Sequence, residues 1–170
     1  MGVAISVIDY LEELGVQYQL VPHAHSQSSI QSALSAGVSA RQTAKSVMLE
    51  DNEGRRVMAV IPAANRVVIQ QLSQQLKREL HLIPESKLKG QFDDCELGAL
   101  PGVGDPYNVL AVYDDALEGE DHVYLEAGDH EHLIRISNQG MKALMADHPH
   151  GRFSATAVYN EKPRRAWDWQ

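Results

Sequence analysis

Apolar residues near the start of the chain recur at helical spacing. Val7, Ile8, Leu11 and Leu14 share one face, Asp9, Glu12 and Glu13 lie elsewhere, and Gly15 supplies a stop. The pattern then switches to the alternation of a strand through VQYQLVPH, residues 16–23. Ser28 or Ser29 is placed to cap a short helix through IQSALSA, which Gly37 closes. The clearest local signal follows: AKSVMLED (44–51) and RRVMAVIP (55–62) are two apolar, β-branched runs separated by a turn containing Gly54. Val67 to Leu76 returns to helical spacing, HLIP (81–84) reads as a brief strand, and a short helix is expected near Glu85–Gly90. Farther on, NVLAVYDD (108–115), HVYLEAG (122–128) and HLIRIS (132–137) read as short strands, and NQGMKALMA (138–146) as a helix. The composition of FSATAVY (153–159) suits one more strand. Short strands mixed with helices predict an α/β or α+β fold with a mixed, mostly antiparallel, curved sheet flanked by helices.

One stretch breaks every period. From Asp93 to Gly104 the chain packs Gly98, Pro101, Gly102 and Gly104 into seven residues, which suits neither a helix nor a central strand. Such a run either makes a plain turn or lets a ligand approach backbone N–H groups closely. It has neither the G-x-x-x-x-G-K-[ST] pattern of a nucleotide loop nor G-x-G-x-x-G. Far upstream, Lys45 opens the first strand of the predicted hairpin, where an ammonium could grip a phosphate or face negative charge on an ester carbonyl.

Together these segments resemble the editing-domain family of aminoacyl-tRNA deacylases, the YbaK-type proteins and the insertion domain of bacterial prolyl-tRNA synthetases. The resemblance spans roughly residues 5–146. It rests on AKSVML around Lys45, VIPAANRV (60–67), the Asp94–Gly104 loop, YDDAL (113–117) and EAGDHEHLIRIS (126–137), in that order. It implies a partly closed, barrel-like mixed sheet, a deacylase domain at 1–146 and a C-terminal extension at 147–170. It also implies metal-free chemistry without a cofactor, on the aminoacylated 3′ end of tRNA. In the family Lys45 falls on a characteristic lysine, and the loop carries G-x-x-x-P, whose amides hold the substrate's carbonyl end or the attacking water. Gly98 matches the glycine, whereas the proline sits one residue early, at Pro101, and position 102 is Gly. The catalytic candidates implied are Lys45, Gly98, Ala99 and Leu100. The binding candidates are Arg41, Ser46, Asn65, Arg66, Pro101, Gly102, Gly104 and His130, with Asn65 and Arg66 in the segment that cradles the terminal adenosine. The tRNA's own ribose hydroxyl would position or deprotonate the water.

Composition narrows the remaining chemistry. The chain has 170 residues, 44% hydrophobic, enough for one domain with a buried core. Its single cysteine, Cys95, excludes an internal disulfide and suits a reducing cytoplasm. Nothing resembles a membrane span or a signal peptide, so a soluble cytoplasmic protein is expected. A net charge of −8 argues against broad binding to DNA or to a long duplex. Yet residues 41–89 carry nine Lys/Arg against five Asp/Glu, while 90–147 carry two against thirteen. A small basic patch that includes Arg41, Arg55, Arg56 and Arg66 could therefore accept an RNA end. Cys95 lacks an evident activating base, and Asp94 and Glu96 read as either partners of Lys45 or solvated loop acids. The pairs His23/His25 and His130/His132 share strand faces, but no His-Glu-x-x-His or cysteine pair supports a metal site. The expected activity is a freestanding aminoacyl-tRNA deacylase using water. A non-catalytic module that binds a tRNA end or a nucleotide on the same fold, and a hydrolase of small acyl esters, are the alternatives.

Overall fold

A computed structural model describes residues 2–157. Its elements run α1 (Ile5–Glu13), β1 (Tyr18–Pro22), α2 (Ser29–Ala36), β2 (Ala44–Asp51), β3 (Arg56–Pro62) and β4 (Asn65–Val67). They continue with α3 (Ile69–Leu76), β5 (Leu80–Leu82), β6 (Leu110–Asp114), β7 (His122–Glu126), β8 (His132–Ser137), α4 (Asn138–Met145), β9 (His150–Gly151) and β10 (Ser154–Thr156). Short 3-10 turns occupy Glu85–Leu88, Asp105–Tyr107 and Asp115–Leu117.

The β2–β3 hairpin is the spine. Its antiparallel register runs from Ala44 opposite Pro62 to Glu50 opposite Arg56. The Asp51 carboxylate closes the turn by accepting the amides of Glu53 and Arg55, each at 2.9 Å, and Gly54 takes φ 78° there. Strand β3 is buried on both faces, as its unbroken apolar run requires. Met58 and Val60 enter one core and Val57, Ala59 and Ile61 the other. The full sheet has the order β5-β2-β3-β6-β9, with β6 and β9 parallel to their neighbours and the remaining pairs antiparallel.

A second, antiparallel sheet has the order β1-β8-β7. It meets the first where the Tyr124 N–H donates to the Gln42 carbonyl at 2.8 Å and Thr43 bridges to Tyr124. Between the sheets lies the larger core, with Val60, Ala111 and Tyr113 facing Val123, Leu125 and Ile134, and α1 and α4 sealing it with Leu11 and Leu144. On the far side of β3, Leu72 of α3 and Phe153 close the smaller core. The fold is thus mixed, mostly antiparallel and helix-flanked as expected, built from bridged sheets. Among the described residues no helix is long and apolar enough to cross a membrane.

The differences from the sequence reading are local. Helix α1 stops at Glu13, leaving Leu14 exposed. Val67 belongs to β4 rather than to the following helix, which starts at Ile69. The strand expected at 108–115 begins only at Leu110, because Asn108 takes a left-handed φ of 57° after the 3-10 turn. Part of FSATAVY forms β10, paired with β4. The tail EKPRRAWDWQ lies outside the described residues.

Residues 150–157, past the segment of family resemblance, add two strands: β9 pairs with β6 at one edge of the main sheet, and β10 pairs with β4 in a separate two-stranded sheet. Phe153 between them is fully buried, its N–H on the Asp114 carboxylate at 3.1 Å and its carbonyl accepting the Val68 N–H at 2.7 Å. Phe153→Ala should therefore cost about 3–5 kcal/mol, read as a lower midpoint in chemical denaturation; an unchanged midpoint would show that this segment is dispensable to the core.

Candidate functional site

Strand β5 covers β2 only from Leu49 to Asp51, and one further bond, Ile83 N–H to the Met48 carbonyl at 3.1 Å, ends the contact. Past that point no strand among the described residues covers this side of β2, and a cavity of about 600 Å³ opens there. Its walls are Lys45–Met48 of β2, the chain leaving β5 through Pro84 and Glu85, the lead-in to α2 at Gln27–Ser29, and Gly98 with Leu100. Among the described residues, Lys45 and Glu85 are the only charged ones in those walls.

Lys45 is the second residue of β2, so the strand fixes its direction. Burial pushes its ammonium down to about 8, because water no longer solvates the charge fully. Next to it, the Ser46 hydroxyl donates to the carbonyls of Pro101 at 2.9 Å and Leu100 at 3.3 Å, tying the glycine loop to β2.

Gly98 needs to be glycine for two reasons. Its φ is 85°, and a Cβ there would lie 2.7 Å from the Gln27 carbonyl oxygen and 3.0 Å from the His130 ring. Its N–H donates to Glu85 Oε2 at 2.8 Å. The Ala99 N–H is likewise engaged, by the Glu96 carbonyl at 3.2 Å. Burial pushes the Glu85 carboxyl up, against the opposing pull of the Gly98 N–H and of nearby His130.

His130 sits behind the loop. It is buried, takes φ 62°, and bonds the Leu97 carbonyl through Nε2, which must carry the proton since the carbonyl only accepts. Its ring packs against His25 at 5.4 Å. One turn away, Gly128 accepts the Glu96 N–H at 2.7 Å.

The structure thus brings Lys45, Ser46, Gly98 and Leu100 into one cavity, with His130 supporting it. It places other candidates elsewhere. Ala99, Pro101, Gly102 and Gly104 are buried and line no part of the cavity. Gly102 lets the sheets close, since a Cβ would meet Val60 at 3.0 Å, and its carbonyl accepts the Tyr113 hydroxyl at 2.8 Å. A Cβ on Gly104 would overlap the Val109 carbonyl oxygen. Asn65 donates to the Ser154 hydroxyl at 2.9 Å in a separate, smaller depression beside β10. Arg41 and Arg66 are exposed. Arg55 is paired with Asp51 and Glu53, and Arg56 donates to Gln91 and to the Lys87 carbonyl. Asp94 anchors α1 and Tyr107 rather than Lys45, through the Ser6 N–H at 3.0 Å and the Tyr107 hydroxyl at 2.8 Å. Burial pushes the Cys95 thiol up to about 12, so it carries no thiolate near neutral pH. Among the described residues no group of three His, Cys, Asp or Glu could hold a metal ion. Glu85 went unnoticed in the sequence, since it sits in a stretch read as a short helix and no periodicity links it to Gly98.

A family model described as "Aminoacyl-tRNA editing domain" matches residues 23–144. No curated protein sequence matches the chain. Among solved structures, a protein described as hypothetical is 21% identical and covers 88% of this chain and 99% of its own, with a TM-score of 0.77. A candidate trans-editing enzyme for prolyl tRNA synthetase is 20% identical, covers 89% of this chain and 96% of its own, and has a TM-score of 0.71. A candidate signal transduction protein from Marinobacter aquaeolei is 16% identical and covers 92% of this chain but 32% of its own, with a TM-score of 0.70. At these identities the likeness is one of fold.

The half-buried ammonium makes a direct prediction. Followed by NMR at its ε-carbon, Lys45 should titrate with a midpoint near 8, the protonated form holding below it and being lost as pH rises through it. A midpoint at the ordinary lysine value of about 10.4 would show that the side chain is fully hydrated.

Proposed function

The chain belongs to the aminoacyl-tRNA editing domain family, and from that premise we propose that it is an aminoacyl-tRNA deacylase, hydrolysing the ester between a wrong amino acid and the 3′ end of tRNA. The observation that carries this reading is the single cavity lined by both Lys45 and Gly98, residues more than fifty positions apart.

The cavity is sized for the terminal aminoacyl group and its ribose rather than for a duplex. A Lys45 ammonium that titrates near 8 is still mostly protonated at neutral pH. In a partly dehydrated wall its charge acts more strongly than in water, either on the terminal phosphate or on the oxyanion that forms when water attacks the ester. Because the Gly98 and Ala99 amides are engaged by Glu85 and Glu96, the loop contributes shape and Lys45 contributes the charge. No nucleophilic side chain is required, and the family resemblance assigns the positioning of water to the ribose hydroxyl. Exposed Arg41 and Arg66 remain available to the phosphates of the acceptor end.

Lys45→Ala should lower single-turnover deacylation by on the order of 10²–10³, about 3–4 kcal/mol, across a panel of mischarged tRNAs. The thermal melt should hardly move, because the ammonium borders a cavity and is not part of either core. Lys45→Arg should also be impaired, since a planar fork does not replace a compact ammonium. Near-normal turnover by the alanine variant would overturn the mechanism.

A further inference from the structure

Among the described residues, Lys45 and Glu85 give the cavity one positive and one negative charge. The end of an aminoacylated tRNA carries the complementary pair: an anionic phosphate on the ribose side of the ester and a cationic α-ammonium on the acyl side. If Lys45 faces the phosphate or the oxyanion, the ammonium needs a carboxylate, and it must find one within a few ångströms of the carbonyl, since only one carbon separates them.

Glu85 meets that requirement. Its Oε2 is held by the Gly98 N–H at 2.8 Å, so it sits against the glycine loop where that loop lines the cavity. The 3-10 turn that follows Pro84 roots its backbone. Its other oxygen, Oε1, accepts no hydrogen bond among the described residues. No lysine or arginine pairs with it there, and the nearby titratable group is His130, behind Gly98. A half-buried carboxylate with one oxygen satisfied, and with no lysine or arginine paired to it among the described residues, gains most from a ligand that brings a positive charge.

We propose that Glu85 is the counter-ion for the substrate's α-ammonium, so that the site takes aminoacyl esters with a free amine and discriminates against N-acylated and peptidyl esters. This assignment rests on the deacylase reading above. Glu85 is then a residue of substrate selection: acylating the amine removes the charge it binds and adds bulk where it stands.

The test uses hydrolysis-resistant probes, 3′-alanylamido-3′-deoxyadenosine 5′-phosphate and its N-acetyl form, with binding read by calorimetry. The wild-type protein should bind the free-amine probe about tenfold to a hundredfold more tightly. Glu85→Gln keeps an oxygen for the Gly98 N–H but loses the charge, and it should bring the free-amine probe down to the level of the acetylated one. Equal binding of both probes by the wild-type protein would overturn the proposal. So would a variant that weakens both probes by one factor, which is the mark of a purely structural role. Because the probes cannot be cleaved, discrimination between them without turnover of any mischarged tRNA would sink the deacylase reading while leaving the Glu85 assignment standing.

Discussion

The site depends on a clamp between two chain segments remote in sequence. The tight turn joining β7 to β8 reaches across to the glycine loop. Gly128 accepts the Glu96 N–H at 2.7 Å, and His130 bonds the Leu97 carbonyl. Both clamp residues have positive φ, 93° at Gly128 and 62° at His130. For histidine this conformation is costly, of order 1–3 kcal/mol, and it persists only where surrounding contacts over-determine it. Here the Asp129 carboxylate supplies them, accepting the amides of Glu131 and His132 at 3.0 Å each. Gly98 completes the clamp by offering no Cβ where the His130 ring and the Gln27 carbonyl meet.

Once the loop is held, the remaining geometry follows. Ser46 ties Leu100 and Pro101 to β2, which sets the distance between the loop and the strand that bears Lys45. Glu85 bridges from the β5 side to Gly98. The cavity is therefore bounded by hydrogen bonds at two seams and by strand β2 along its floor. In an acidic protein of net charge −8, this local pairing of one cation with one anion matters more than the total. Long-range attraction for nucleic acid is weak, so the proposed recognition of a tRNA end rests on a few short-range contacts.

Much of this was legible in the residues. The β2–β3 hairpin follows from two apolar runs and Gly54, and the α2 caps from Ser28, whose hydroxyl accepts the Gln31 N–H, and Gly37 at φ 71°. Lys45 stood out because it opens a strand. Strands of two or three residues, such as β4 and β9, carry no readable period; pairing with distant segments creates them, β4 with β10 and β9 with β6. The glycines of the loop looked alike in sequence, but only Gly98 faces the cavity, while Gly102 and Gly104 serve close packing between strands. Burial, which decides that difference, is a property of the assembled sheets. Glu85 was illegible for the same reason, since its importance arises from a bond to a residue thirteen positions away.

The wall at Leu82–Glu85 is made by a three-residue edge strand of the main sheet, β5, and the turn beyond it, whereas β3 in the centre is buried on both sides. Lengthening β5 by one pair would roof over more of β2 and shrink the cavity; loosening the turn would widen it. Neither change touches the doubly buried strand. Evolution can thus retune what the cavity admits through a handful of edge residues while the core sequence stays under its own, separate selection, so relatives of this fold can diverge in substrate faster than they diverge in shape.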